Sequence, residues 1–241
     1  MTRQYTSILA ILSMLVLLGC ERLNQDPSLN RILPLGASRV QGERPYFESY
    51  RYELWQLLVN DEWDFDFIGT LEDDANYPRH NGKRFDRDHE GRGGWTSTEI
   101  RYGLPYWVES EGAPDIVLFS SPGGNDILRG EDYPSILENI VAIIDLLRAN
   151  NPNVTILMEQ MAPGTVEFME DEDLTDVFTQ IRADVADIAS NMTTANSKII
   201  AIDMYTGFDD SMLADEVHYN EKGAEFIANR YYGELKELLV R

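Results

Sequence analysis

The sequence is poor in cysteine and in basic residues, and both shortages argue against particular classes of protein. Cys20 is the only cysteine, so no disulfide framework exists within the chain. Lysine and arginine number 20 against 42 acidic residues, which gives a formal net charge of −22. Such a surface repels phosphate backbones, so nucleic acid is not an expected partner. Disorder is not expected either, because 43% of the residues are hydrophobic.

A long apolar run occurs at the N-terminus, from Ile8 to Leu18, after a single early arginine. The run is short for a membrane span, and its order is that of a secretory signal. Leu17-Leu18-Gly19-Cys20 resembles the bacterial lipobox, in which the cysteine is acylated. An ordinary signal peptide and an uncleaved anchor are the alternatives, and Cys20 alone could be a free or buried thiol.

The lipobox interpretation divides the chain into three parts. Residues 1–19 are expected to be a signal peptide, 20–29 a lipidated tether and 30–241 a single domain. Glu21 rather than Asp follows the cysteine, so the inner-membrane retention signal looks absent. We therefore predict an exported lipoprotein anchored in the outer membrane, which contacts the membrane through its lipid alone.

Five short apolar runs predict strands that are covered on both faces. They are Ile32 to Leu35, Phe65 to Ile68, Ile116 to Phe119, Val154 to Met158 and Ile199 to Ile202. Between them and after the last run, apolar residues recur at helical spacing. The helical stripes begin at Tyr50, Ile136, Leu174 and Ala224. Strands alternating with helices predict an α/β fold, a three-layer α/β/α sandwich around a five-stranded parallel sheet.

Residues 70–96 break this rhythm, because they have almost no apolar period and predict a long surface loop. The stretch Thr96-Ser97-Thr98-Glu99 is typical of a capping box that opens a helix. Gly103 and Pro105 predict that this helix is short, ending or bending before the third apolar run.

Polar residues follow several of the predicted strands, and ligands of parallel sheets bind at that edge. Ser38 follows the first strand, Gly69 the second and Asn125 the third, whereas Asp215 and His218 precede the last helix. This inventory matches an acyl-transfer site. Ser38 would be the nucleophile, His218 the base and Asp215 the group that orients it.

Each of these residues also has a structural interpretation. Ser38 alone is more typical of a helix cap, and His218 alone of a surface histidine. Asn125 and Asp126 could cap a helix or shape a turn. In the functional interpretation, the Asn125 amide and the N–H groups of Ser38 and Gly69 form an oxyanion hole. The order of these residues favours the functional interpretation.

The same residues resemble those of the SGNH hydrolases, also called GDSL esterases. Gly36-Ala37-Ser38, Gly123-Gly124-Asn125-Asp126 and Asp215-Glu216-Val217-His218 resemble three of the family's sequence blocks. PLGASRVQG, HEGRGGW and LLRANNPNVTILMEQMAP are similar to its carbohydrate-esterase-like branch. The resemblance implies a flavodoxin-like fold and a Ser-His-Asp triad. Two departures are Ala37, where the family usually has Asp, and Arg39 after the serine.

The resemblance also implies hydrolysis of short-chain acyl esters, with acetate on a polysaccharide as the leading substrate. We assign His89, Trp95 and Asp126 to substrate binding, although aromatic residues near Trp95 are more often packing residues. No cofactor is required. The run from Asp86 to Glu90 suggests a metal site but is equally what a solvated loop contains, so no metal is expected. An SGNH-fold O-acyltransferase and a catalytically silent carbohydrate-binding lipoprotein are the alternatives, and the oligomeric state is left open.

Overall fold

The computed structural model describes residues 30–241, so the predicted signal peptide and the tether with Cys20 lie outside the described residues. The strands are β1 (Asn30–Gly36), β2 (Phe65–Phe67), β3 (Leu71–Glu72), β4 (Asp88–Gly91), β5 (Ile116–Phe119), β6 (Thr155–Gln160) and β7 (Ile199–Asp203). The helices are α1 (Ser38–Gln41), α2 (Arg51–Asn60), α3 (Ser97–Glu111), α4 (Gly124–Arg129), α5 (Tyr133–Asn150), α6 (Glu172–Met192) and α7 (Glu221–Leu235). Single 3₁₀ turns lie at Phe168–Glu170 and Asp210–Met212.

Five strands form a parallel sheet in the order β2-β1-β5-β6-β7. Ile32 of β1, for example, lies opposite Phe67 of β2 on one side and Ile116 of β5 on the other. This is the strand order of flavodoxin-like sheets, in which the second strand lies at the edge and the first strand lies next to it. The predicted α/β class and the five predicted strands are confirmed.

Helices cover both faces of this sheet. On one face α2 and α7 pack against the strands, with Leu54 and Ile227 in the same core as Leu118. On the other face, α3, α5 and α6 form a second core with the strands. Ile140 of α5 and Val117 of β5 are both buried in it. Val117 and Leu118 are neighbours that point to opposite faces, and both are fully buried. This double burial is why the strands are continuous apolar runs in the sequence.

The segment 70–96 is not the simple surface loop that the sequence predicts, because it contains β3 and β4. The sheet therefore has seven strands in the described residues rather than five. β4 pairs in parallel with the end of β1, where Glu90 lies opposite Leu35, and antiparallel with β3. Its sequence, DHEG, carries no apolar alternation. It is held by backbone pairing and by buried polar contacts, which hydrophobic periodicity does not reveal.

The predicted capping box of α3 is confirmed, since the Thr96 side chain accepts from the Glu99 N–H and Glu99 accepts from the Thr96 N–H. The predicted early end of the helix is wrong, because α3 continues through Pro105 to Glu111. The buried side chain of Trp107 lies directly beside Gly103, where any Cβ would overlap the indole ring. Trp107 and Leu104 also belong to the core that contains Val117 of β5, and this packing outweighs the cost of an internal proline, about 3 kcal/mol. Among residues 30–241, no helix is both long and apolar enough to span a membrane.

Candidate active site

Ser38, His218 and Asp215 meet at the carboxyl edge of the sheet. Nε2 of His218 lies 2.9 Å from Oγ of Ser38, and its Nδ1 lies 2.7 Å from Oδ2 of Asp215. The other Asp215 oxygen accepts from the backbone N–H groups of Val217 and His218, at 2.9 and 2.8 Å. Burial raises the pKa of Asp215, but these hydrogen bonds outweigh it and leave the pKa below its ordinary value. The structure thus supplies an ionised carboxylate that fixes both the ring and its loop.

The Ser38 side chain does not cap a helix. Ala37 is the cap residue of α1, and α1 has no side-chain capping hydrogen bond. Ser38 is the first residue of α1, and its hydroxyl contacts His218 instead. Because α1 spans four residues, its dipole contributes little beside the serine.

Arg39, which the resemblance marked as a departure, holds three loops around the site together. Its Nε donates to the carbonyl of Val217 at 2.9 Å. Its Nη1 and Nη2 donate to the carbonyls of Ala162 and Pro163 at 2.8 and 3.2 Å. Nη1 also lies 3.4 Å from the hydroxyl of Ser121. Since Val217 precedes His218, this guanidinium holds the loop that carries the imidazole.

A second arginine, Arg51, holds the far end of α1. It is fully buried and donates to the carbonyls of Val40 and Gln41 at 2.7 and 2.9 Å. Its Nη2 also forms an ion pair with Asp73 at 2.8 Å. Burial lowers the pKa of Arg51, although Asp73 opposes the shift. The short helix that starts at Ser38 is therefore restrained at its carboxyl end by the interior of the protein.

Phe47 covers one face of the imidazole. Its ring stacks on that of His218 with 4.0 Å between centroids and 17° between planes. The stack restrains the ring in the orientation that points Nε2 at Ser38. Sequence reasoning did not identify Phe47, because aromatic residues in the short segment between two helices give no signal of which one meets His218.

Asn125 lies in α4 and lines the same cavity as Ser38. One N–H of its amide donates to the carbonyl of Trp95 at 2.9 Å. That contact identifies which end of the side chain is the nitrogen and leaves a second N–H for a ligand. The arrangement suits an oxyanion donor whose orientation is set before substrate arrives.

Gly69 does not reach this site, so that prediction is corrected. β2 stops beside Ile32, and β4 takes over the pairing with the last residues of β1. A Cβ on Gly69 would lie 2.2 Å from the backbone of His89, so β4 covers it. Gly93, four residues after His89, is the glycine beside the serine, since its Cβ would lie 4.0 Å from that of Ser38. The stretch HEGRGGW, already noted for its resemblance, contains it.

Asp126 and His89, which the sequence assigns to substrate binding, are both buried and hydrogen-bonded within the protein. Both Asp126 oxygens accept from Ser97, one from its N–H at 2.8 Å and one from its hydroxyl at 2.6 Å. This buried carboxylate therefore ties α4 to the start of α3, and the residue also lines the cavity of Ser38. His89 is buried in β4 and does not line the cavity of Ser38. Trp95 does line that cavity.

Glu159, in β6, is a functional candidate that sequence reasoning missed. It is fully buried and accepts from the hydroxyl of Ser120 at 2.9 Å and from the N–H of Ser121 at 2.8 Å. Burial raises its pKa, and the hydrogen bonds from the serines oppose that shift. The carboxylate fixes the turn that leads to Asn125, in which Ser121 has a positive φ of 46°. A charged residue directly after the apolar run that ends at Met158 was the available signal.

Two cavities meet at the site. The first, the acyl cavity, has a volume of about 60 Å³ and is lined mainly by apolar side chains, among them Ile100, Phe119, Met161 and Phe178. The second, the polar cleft, has a volume of about 430 Å³, and its walls include Gln41, Asp74, His89, Arg92, Gly93 and Trp95. In the part of the chain that the structure describes, no three His, Cys, Asp or Glu side chains are grouped to hold a metal ion.

Comparison with known families identifies this arrangement. Residues 60–226, more than two thirds of the chain, match the GDSL-like lipase/acylhydrolase family. The chain belongs to this family. The matched region includes Asn125, Asp215 and His218, whereas Ser38 precedes it. A search of curated proteins found no match.

The solved structures that resemble this GDSL-family protein include carbohydrate esterases and an acetyl esterase. A family 3 carbohydrate esterase from Talaromyces cellulolyticus shares 29% identity at a TM-score of 0.73 and covers 87% of this chain and 97% of its own. An acetyl esterase mutant solved with an acetate ion shares 27% identity at a TM-score of 0.74, and the match covers 87% of this chain and 97% of the esterase. The family 3 carbohydrate esterase of Clostridium thermocellum shares 25% identity at a TM-score of 0.68, and the match covers 88% of this chain and 99% of the esterase. The protein is therefore a carboxylic ester hydrolase of the SGNH type.

Proposed function

We propose that this protein hydrolyses short-chain acyl esters, chiefly acetyl esters of carbohydrates, through an acyl-enzyme on Ser38. The observation that carries the proposal is the continuous chain from the Ser38 hydroxyl through His218 to Asp215, with Asn125 in the same cavity. These are the nucleophile, base, orienting acid and oxyanion donor of acyl transfer.

In the proposed mechanism, His218 Nε2 takes the proton from the Ser38 hydroxyl as its oxygen attacks the ester carbonyl. Asp215 accepts from Nδ1–H and stabilises the imidazolium. The oxyanion accepts from the second N–H of Asn125 and from the Ser38 N–H, whereas the Gly93 N–H beside the serine donates to the Gln41 side chain. The alcohol leaves with the proton from Nε2. Water then attacks the acyl-enzyme with His218 as base, and the carboxylic acid is released.

The acyl cavity supports a small acyl group. A volume of about 60 Å³ holds roughly four to six water-sized atoms, at about 10–15 Å³ for each. An acetyl group fits such a space, whereas a long fatty acyl chain would extend beyond it. That two similar proteins are carbohydrate esterases and a third is an acetyl esterase supports the same choice.

A chain-length series of nitrophenyl esters, from acetate to octanoate, tests the proposal on the chain from residue 21 onward. We expect the acetate to be the best substrate and turnover to fall as the acyl chain lengthens. Ser38→Ala and His218→Ala should each lose at least about a thousandfold in kcat. Ser190→Ala and His80→Ala are matched controls in helix α6 and at a distant loop. Full activity in Ser38→Ala would refute the mechanism.

The acyltransferase alternative uses the same triad, so only the products distinguish it. Incubation of an acetyl ester with and without a sugar acceptor, followed by product analysis, separates the two reactions. We expect free acetate under both conditions. Transfer of most acetyl groups to the acceptor would favour the acyltransferase, and sugar binding without any ester turnover would favour the silent binding protein.

A further inference from the structure

The polar cleft adjoins both the nucleophile and the acyl cavity. Trp95 forms part of the wall of both spaces. Gly93, another wall residue of the cleft, lies beside Ser38, and its N–H donates to the side chain of Gln41 at 2.5 Å. The cleft's volume of about 430 Å³ lies within the range of small-molecule sites, roughly 300–1,000 Å³. An ester held at Ser38 with its acyl group in the apolar cavity therefore has this space available for its alcohol part.

His89 gives the cleft an unsatisfied donor. Its Nδ1 accepts from the Gly91 N–H at 2.9 Å, which places the ring proton on Nε2. The residue is only 3% exposed, and Nε2–H has no protein acceptor in residues 30–241. Burial, and then the nearby Arg51 and Arg92, lower the pKa of His89 to about 2. The ring is therefore neutral near pH 7, and because His89 lines the cleft, a group bound there can accept from this N–H.

The charged groups around the cleft are paired, with one exception. Three ion pairs neutralise most of them: Glu72–Arg87, Asp73–Arg51 and Glu90–Arg92. Asp74 is exposed on the cleft wall and has no hydrogen bond or ion pair to another described residue. The cleft thus offers one carboxylate acceptor, one neutral imidazole donor and a net negative charge.

We propose that the polar cleft binds the alcohol part of the ester as an uncharged sugar, and that Asp74 makes it reject sugars that carry a carboxylate. This inference rests on the proposed esterase function. Sugar hydroxyls accept from His89 Nε2–H and donate to Asp74, which satisfies both groups. A uronate ring has the same shape as the neutral sugar but brings a second negative charge beside Asp74.

Binding can be tested without catalysis, because the chain has only three histidines. We would record ring ¹⁵N–¹H spectra while adding methyl glucoside or, in parallel, methyl glucuronate. We expect the Nε2–H signal of His89 to shift with methyl glucoside and to shift far less with methyl glucuronate. No shift at His89 with either sugar, or equal shifts with both, would overturn the proposal whether or not the protein proves to be an esterase.

Kinetics test the role of Asp74 directly. The ratio of kcat/KM for acetylated methyl glucoside to that for acetylated methyl glucuronate should fall about fivefold or more in Asp74→Lys, with Asp74→Asn intermediate. Asp187→Asn, an exposed aspartate on α6, is the matched control and should leave the ratio unchanged. An unchanged ratio in Asp74→Lys would refute the charge selection. Failure of the parent protein to hydrolyse any acetyl ester would instead refute the proposed function.

Discussion

Replacing Arg39 by methionine removes the guanidinium that joins the loops around the site while keeping an unbranched apolar stem. The variant loses hydrogen bonds to the carbonyls of Val217, Ala162 and Pro163. Within residues 30–241, the Val217 backbone forms two hydrogen bonds, one from Arg39 to its carbonyl and one from its N–H to Asp215. We therefore expect Arg39→Met to loosen the placement of His218 rather than to remove a reacting group.

The size of the effect follows from those contacts. Each hydrogen bond from a charged group contributes about 1.5–3 kcal/mol, but Arg39 is half-buried and water can replace part of the loss. We expect Arg39→Met to lower the free energy of unfolding by about 2–3 kcal/mol and Tm by about 5–10 °C. A small displacement of a catalytic group can cost about a hundredfold, so kcat should fall by about 10- to 100-fold with little change in KM.

Steady-state kinetics on nitrophenyl acetate and thermal unfolding together test this reasoning. Arg39→Lys keeps the charge but cannot reach all three carbonyls, so it should fall between the parent and Arg39→Met. Arg84→Met, at an exposed arginine distant from the site, is the control and should match the parent. Parent-like kcat in Arg39→Met, at a temperature where it is fully folded, would refute the positioning role.

Three further outcomes are expected. Asp215→Asn should lower kcat by about 10³- to 10⁴-fold in the nitrophenyl acetate assay, because the amide no longer stabilises the imidazolium of His218; a loss under tenfold would contradict this. Burial raises the pKa of Asp86 to about 6, although the hydrogen bond from the Phe67 N–H opposes this shift. The folded protein therefore loses stability as pH rises from about 4 to 6 and Asp86 ionises. Asp86→Asn should thus raise Tm at pH 7 but not at pH 4, and equal shifts at both would refute it. Cys20→Ser should abolish incorporation of labelled fatty acid in bacterial cells, and retained label would exclude lipidation at that residue.

The fold could be predicted because its strands are buried on both faces. Runs such as Ile116 to Phe119 are apolar throughout, and the lengths between them fit crossover helices. β4 could not be predicted in this way, since its four residues are polar or glycine and are held by backbone pairing. The extent of α3 was missed because burial of Trp107 decides it, against the local preference of Pro105.

The site was predictable where chemistry and position along the chain coincide. Ser38 directly follows an apolar run, and Asp215 and His218 directly precede the last helix, so the sequence alone predicts that they lie at one edge of the sheet. The choice of Gly69 failed because strands end at different levels, and β4 lies between Gly69 and the rim. The supporting residues Arg39 and Glu159 act through carbonyls and N–H groups of distant loops, which a single sequence does not encode as a pattern.

The most direct test of the account is to label the protein with a serine-reactive phosphonate and locate the adduct by peptide mass spectrometry. The account predicts one adduct, on Ser38, that is absent in Ser38→Ala and forms far more slowly in His218→Ala. Ester hydrolysis that continues after complete modification of Ser38, or an adduct on another residue that abolishes activity, would contradict it.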